Sequence, residues 1–291
     1  MNRSYLFAPG HNAKLLDRVF TAGADAVMLD LEDAVPPAQK PAARRMVAAA
    51  LADPPTSARA WVRVNAARSE LCAADLDAVA GRAYGVRIPK AESPEDVAWV
   101  AARVPGTPII CAIESARGLL AAAEIAAAPG VAHLALGGVD LQHDLATDGS
   151  NRATLYARSH LVVCSRAARI GPPIDSVFPH LADDDELRSQ AEFARSLGFF
   201  GKSAIHPRQL PVLHAVFTPT ERELAWAREV LAAFAAADGA ALRLSDGEFV
   251  DLPVAQRAER LLARSAVAAG CPRCDTGGVR GGPRAARRPA R

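Results

Sequence analysis

The chain alternates between short apolar runs and longer amphipathic stretches. The apolar runs read "YLFAP" (5–9), "AVMLDLE" (26–32), "AWVRVN" (60–65), "GVRIPKA" (85–91), "PIICAIE" (108–114), "HLALGGVD" (133–140), "PPIDSVF" (172–178) and "GKSAIHP" (201–207). Each is short enough for a buried strand. Between them lie segments such as "KLLDRVFTAG", "DLDAVAGRA", "PEDVAWVAARV", "ARGLLAAAEIAAAPG" and "DELRSQAEFARSLG", with apolar residues at helical spacing and several ending in Gly. Strands separated by helices imply parallel pairing with right-handed crossovers. Eight such units predict an α/β chain folded as a (β/α)8 TIM barrel. An open doubly wound sheet would want G-x-G-x-x-G after its first strand, and "FAPGHNAK" does not supply it.

The pattern continues beyond the eighth strand. "TPTERELAWAREVLAAFAAA" is a helix, and "LRLSDGEFVDLPVAQRAERLLARS" reads as a hairpin turning at Asp246-Gly247 and then another helix. The expected organisation is a catalytic barrel over 1–215, a helix-hairpin-helix extension over 216–269 and a disordered Arg/Gly/Pro tail over 270–291.

Charge and cysteine content narrow the picture. The 291 residues carry a formal charge of +2, but the tail holds Arg273, Arg280, Arg284, Arg287, Arg288 and Arg291 against Asp275 alone. The remaining body is therefore mildly acidic, which argues against a nucleic-acid partner. No apolar stretch is long enough for a membrane helix, and the N-terminus lacks a secretory pattern. A cytoplasmic protein is expected. Cys72, Cys111 and Cys164 stand singly among apolar residues, as buried thiols do, while Cys271 and Cys274 form a C-x-x-C with no second ligand pair. The lone histidines show no metal-site spacing.

In a (β/α)8 barrel the chemistry sits where the strands end. The strand ends supply Asp30, Glu32 and Asp33, then Arg63 and Asn65, Lys90 and Glu92, Glu114 and Ser115, Asp140 after Gly137-Gly138, Asp175, and Lys202 with His206. Glu114 and Asp140, on adjacent strands, are the natural pair for a hard divalent cation; Mg²⁺ takes one or two carboxylates and keeps waters that a substrate replaces. Arg63 is placed to clamp a substrate carboxylate with two hydrogen bonds. A metal-chelated 2-oxo acid beside an arginine favours an enolate, the requirement of carbon–carbon cleavage next to a carbonyl.

The stretches "RSYLFAPG", "DAVMLDLEDAV", "QKPAAR", "VRVN", "RIPKAES", "AIESARG", "LALGGVDL", "GFFGKSAIHPRQ" and "DGEFVDLP" together resemble the citrate lyase β-subunit-like (HpcH/HpaI aldolase/citrate lyase) family of CoA-ester lyases, relatives of malyl-CoA and citramalyl-CoA lyases. They run from Arg3 to about Ser265. The resemblance implies a Mg²⁺-dependent lyase that splits a 3-hydroxy-acyl-CoA ester of the malyl, citramalyl or citryl type into acetyl-CoA and a 2-oxo acid. It implies Glu114 and Asp140 as metal ligands and Arg63, with backbone groups at Gly138 and Val139, as the oxo-acid site. Asp251 would be an acid/base delivered from a neighbouring subunit of a homotrimer or hexamer. Ile205 and His206 would follow the CoA arm, with Phe7 opposite. Asp30, Glu32 and Asp33 would accept hydrogen bonds from metal-bound water and orient Arg3 and Arg63. The slot after "PG", where malyl-CoA lyases tend to carry arginine, holds Asn12. A carrier-protein thioester, handled with citrate lyase α and γ subunits, therefore stays open beside free CoA. A CoA-independent metal-dependent 2-oxo-acid aldolase is the other enzymatic alternative; its usual histidine base after strand 2 is replaced here by "LEDAV".

Overall fold

A computed structural model describes residues 2–54 and 59–268. The tail expected to be disordered, with its C-x-x-C, lies outside these residues. The chain divides into two compact units, one reaching Thr218 and one starting at Pro219.

The first unit contains seven parallel strands, β1 (Ser4–Pro9), β2 (Ala26–Asp30), β3 (Arg59–Arg63), β4 (Gly85–Ile88), β5 (Ile109–Ile113), β6 (Val131–Leu136) and β7 (Lys202–Ala204). Helices α1 (Ala13–Val19), α2 (Lys40–Ala52), α3 (Glu70–Val79), α4 (Pro94–Ala101), α5 (Ala116–Leu120), α6 (Ala122–Ala127), α7 (Gly138–Asp144), α8 (Leu155–Ala167), α9 (Asp184–Leu197) and α10 (Leu210–Phe217) link and follow them. The sheet order is β6-β5-β4-β3-β2-β1-β7.

The sheet is curled, and side-chain phase shows it. Val27, Leu29 and Leu31 enter the large core shared with the helices, whereas Ala26 and Met28 join Tyr5, Trp61, Ile110, Ala112, Ala135 and Ile174 in a smaller inner core. Those inner residues come from strands that are not neighbours, so the inner face is curled. Arg87 on β4 reaches Ser203 on β7 at 3.4 Å, four places away in sheet order. The edge strands are joined by two isolated bridges, Ala135 with Ile174 and Asp175 with Lys202. The expected strand over 172–178 is thus reduced to two bridging residues. Pro172 and Pro173, which have no N–H to donate, stand directly before them. A second difference lies at "HLALGGVD": β6 stops at Leu136, Gly137-Gly138 turn the chain, and Asp140 sits in the first turn of α7 instead of on a strand.

Asp175 is fully buried between two cations. Lys202 Nζ donates to Oδ2 at 2.5 Å and Arg158 Nε to Oδ1 at 3.1 Å, and Arg158 also donates to Thr154 Oγ1. Burial alone would raise the Asp175 pKa, but Lys202 and Arg158 outweigh it and hold the carboxyl below its usual range.

The second unit is α11 (Glu221–Ala236), an antiparallel pair β8 (Leu242–Arg243) and β9 (Phe249–Val250), and α12 (Leu252–Ala268). Thr220 and Glu223 form a reciprocal capping box at the start of α11. Ala227 and Val230 pack with Leu244, Val250 and Ala258 as its small core. Asp251 lies between β9 and α12, where its Oδ1 accepts from Val254 N at 3.2 Å and caps the helix.

Candidate active site

A cleft of about 310 Å³ opens at the carboxyl ends of the strands in the first unit. Its wall includes Phe7, Asp30, Arg63, Arg87, Glu114, Gly137, Gly138, Val139, Asp140 and Ile205. His206 is not among the lining residues; its Nδ1 accepts from Arg208 N and starts a short turn.

The acids after β2 have distinct partners. Asp30, 1 % exposed, accepts Arg63 Nε on Oδ1 and Nη2 on Oδ2, both at 2.7 Å, and also caps the backbone N–H groups of Glu32 and Ala34. Glu32 pairs with Arg63 Nη1 at 2.8 Å and with Lys90 Nζ at 3.0 Å, and Lys90 reaches Asp33 at 3.4 Å. The crowded carboxylates are thus held in place by two cations. They orient Arg63 but not Arg3, contrary to the sequence expectation. Arg3 precedes β1, at the end of the sheet away from the cleft, and there Nε and Nη2 bind Asp25 at 2.8 and 2.7 Å.

Arg63 has its Nε/Nη2 edge engaged by Asp30 and its Nη1 paired with Glu32. The Asp30 hydrogen bonds raise the Arg63 pKa despite its burial. Likewise the Gly138 N–H donates to Ser176 Oγ at 2.9 Å, an interaction within the protein.

Glu114 is 3 % exposed and accepts Lys90 N at 3.2 Å. Burial pushes its pKa up to about 7, with Arg87 opposing and Glu32 and Asp140 adding to the rise. Gly137 makes room for it: a Cβ there would fall 2.1 Å from Glu114 Cγ. Gly137→Ala should therefore displace the Glu114 carboxylate and abolish metal binding and turnover, while thermal melting still shows a folded chain. Wild-type metal affinity in that variant would contradict the placement of Glu114.

The loop carrying Glu32 is pinned from behind by Asn65 together with Lys40 and Asp75, two residues the sequence analysis did not place at the site. Lys40 Nζ donates to Leu31 O and Glu32 O at 2.8 Å and to Asn65 Oδ1 at 2.7 Å. Asn65 Nδ2 donates in turn to Asp75 Oδ2 at 2.6 Å. Arg87 was also missed, although the sequence carried a signal. In "GVRIPKA" it stands between Val86 and Ile88, both outward in the large core, which puts Arg87 on the inner face beside Arg63, its register partner.

A cation would find two carboxylates, Glu114 and Asp140, on one cleft. Among the described residues no group of three or more His, Cys, Asp or Glu is arranged around a metal. Two carboxylates with open space beside them suit Mg²⁺, whose other positions go to water and substrate oxygens.

Comparison with known proteins places the chain in a family. The sequence profile of the HpcH/HpaI aldolase/citrate lyase family matches residues 3–207. The chain is 38 % identical to citrate lyase subunit beta of Escherichia coli K12 over 281 residues, covering 90 % of this chain and 93 % of the relative. It is 35 % identical to a (3S)-malyl-CoA thioesterase of Cereibacter sphaeroides, covering 92 % and 96 %. A crystal structure of the CitE protein of Mycobacterium tuberculosis in complex with magnesium, acetoacetate and coenzyme A superposes with a TM-score of 0.77 at 36 % identity, covering 90 % of this chain and 97 % of that one.

Proposed function

Because the chain belongs to the HpcH/HpaI aldolase/citrate lyase family, a family of carbon–carbon lyases, we propose that it is a Mg²⁺-dependent lyase of a 3-hydroxy-acyl thioester, releasing acetyl-CoA and a 2-oxo acid. The observation that carries this reading is the pairing of Glu114 with Asp140 on one cleft beside a fixed Arg63. Solved relatives support it, since CitE of M. tuberculosis was crystallised with magnesium, acetoacetate and coenzyme A and also with magnesium and pyruvate. Citrate lyase complexes and carrier-protein thioesters remain the alternative setting for the same cleavage.

Glu114 and Asp140 would hold the ion. When bound, Mg²⁺ supplies a Lewis acid that stabilises negative charge on the oxo-acid oxygens. The protein's own groups do the rest. Asp30 and Glu32 fix Arg63, whose free N–H groups meet the oxo-acid carboxylate. Phe7 and Ile205 provide apolar walls for the acyl arm. Loss of the 3-hydroxyl proton accompanies cleavage of the bond between the hydroxyl carbon and the carbon next to the thioester. The enolate left on the acetyl thioester then takes a proton, and Asp251 supplied by a second subunit of a homotrimer or hexamer is the donor in this reading. The full (β/α)8 closure belongs to the same proposal, with Ile174 and Asp175 as a minimal eighth strand.

The (3S)-malyl-CoA thioesterase relative favours a second reading, hydrolysis of the thioester. Product analysis separates them: a lyase yields acetyl-CoA and a 2-oxo acid from malyl-, citramalyl- or citryl-CoA, and a thioesterase yields free CoA and the intact hydroxy acid. Free CoA as the first product would overturn the lyase assignment.

Metal affinity should depend on pH. Burial pushes the Glu114 pKa up to about 7, and only its carboxylate binds the ion. Below that pH a proton must leave for each ion bound, so affinity should weaken by about tenfold per unit. Above pH 8 it should level off. Calorimetry between pH 5.5 and 8.5 checks this, and a flat profile would contradict it.

A further inference from the structure

Two guanidinium groups share the floor of the cleft. Arg63 and Arg87 are register partners on β3 and β4, and both lie over the Phe7 ring, at 5.2 and 5.5 Å from its centre. Their partners differ sharply. Arg63 is bound on its two-donor edge by Asp30 and on Nη1 by Glu32. Arg87 is 4 % exposed, its Nε has no hydrogen-bond partner, and its Nη1 makes one long contact, to Ser203 Oγ at 3.4 Å. Among the described residues no carboxylate lies within 4.0 Å of it. A buried cation without a counter-ion is costly, and it becomes favourable only when an anion arrives. Burial already pulls the Arg87 pKa down to about 10, although Glu114 acts in the opposite direction. Glu114 is the compensating charge the site offers, and in the reading above that charge faces the metal ion.

We propose that Arg87 is the carboxylate-binding arginine of this cleft, its guanidinium, which lines the cleft with no carboxylate partner, receiving the carboxylate of the 2-oxo acid while Arg63 contributes its remaining N–H groups from the side. This rests on the lyase reading and deepens it. A guanidinium edge with adjacent donors fits the two oxygens of a carboxylate, and Arg63 has its Nε/Nη2 edge closed by Asp30 and its Nη1 paired with Glu32. Arg87 therefore sets selectivity for oxo acids over uncharged carbonyl compounds.

The test is binding, not turnover. Equilibrium dialysis with Mg²⁺ and labelled pyruvate, glyoxylate or oxaloacetate is compared for the wild type, Arg87→Met and Arg87→Lys, with Mg²⁺ affinity measured separately. In Arg87→Met, affinity for the oxo acid that the wild type binds should fall by roughly 30-fold or more, with Mg²⁺ affinity within threefold of wild type. Arg87→Lys, which keeps the charge but not the planar edge, should lose about tenfold. If Arg87→Met does not fold, the lysine variant decides, and unchanged affinity there overturns the proposal. Oxo-acid affinity in folded Arg87→Met within threefold of wild type overturns it while leaving the lyase reading intact. Joint loss of Mg²⁺ and oxo-acid binding also overturns it, since Arg87 would then act through the metal site. A wild type that binds none of the three oxo acids overturns the lyase reading and this proposal together.

Discussion

Asp30→Ala should lower kcat/KM for the proposed carbon–carbon cleavage by two orders of magnitude or more while leaving a folded protein. Asp30 is the residue through which the loop after β2 and the arginine of β3 act as one unit. It accepts two N–H groups of Arg63 and two backbone N–H groups of its own loop, at Glu32 and Ala34. Its removal frees Arg63 Nε and Nη2 to swing toward Glu32 or Glu114, and it unpins Glu32. Misplacement of a positioning group by about 1 Å can cost 100-fold. Asp30→Asn, whose single amide oxygen keeps only one of the two loop caps and one of the two Arg63 contacts, should retain more activity than Asp30→Ala. Steady-state kinetics with thermal melting checks both, and an Asp30→Ala enzyme within tenfold of wild type would show that Arg63 needs no such restraint.

The largest stability effect is expected at Asp175. Asparagine there keeps the volume and leaves Lys202 and Arg158 buried with no counter-charge. Breaking a buried ion pair by removing one partner costs about 3–5 kcal/mol. Asp175 and Lys202 also form one of the two bridges that join the sheet edges, so the loss falls where regular pairing is thinnest. Urea unfolding of Asp175→Asn should show a drop of that size without loss of cooperativity. A change under about 1 kcal/mol would mean that the two cations find other partners or shed a proton.

Much of this arrangement was legible in the chain. The alternation of short apolar runs and amphipathic segments located all seven strands of the sheet, because fully buried parallel strands read as near-continuous apolar stretches. Phase within a run also carried information, since outward Val27 and Leu29 flank inward Met28 and so bring Asp30 inward. The bridge at Ile174 and Asp175 was less legible: "PPIDSVF" is apolar enough for a strand, but its leading prolines remove donors. Lys40, Asn65 and Asp75 were invisible as a network because their partners lie far along the chain, and pairing of that kind is decided by the fold. Arg87 was masked for a different reason. A charged residue in mid-strand is read as an edge or a surface position unless the sheet is known to curl.

In the proposed reading Glu114 and Asp140 form one metal site at the cleft. The most direct measurement is Mg²⁺ binding by isothermal titration calorimetry at pH 8 to the wild type, Glu114→Gln and Asp140→Asn. One ion per chain in the wild type and loss of binding in both variants is the result expected. An ion bound equally well by either variant would contradict it, and the metal and its chemistry would have to be sought elsewhere in the protein.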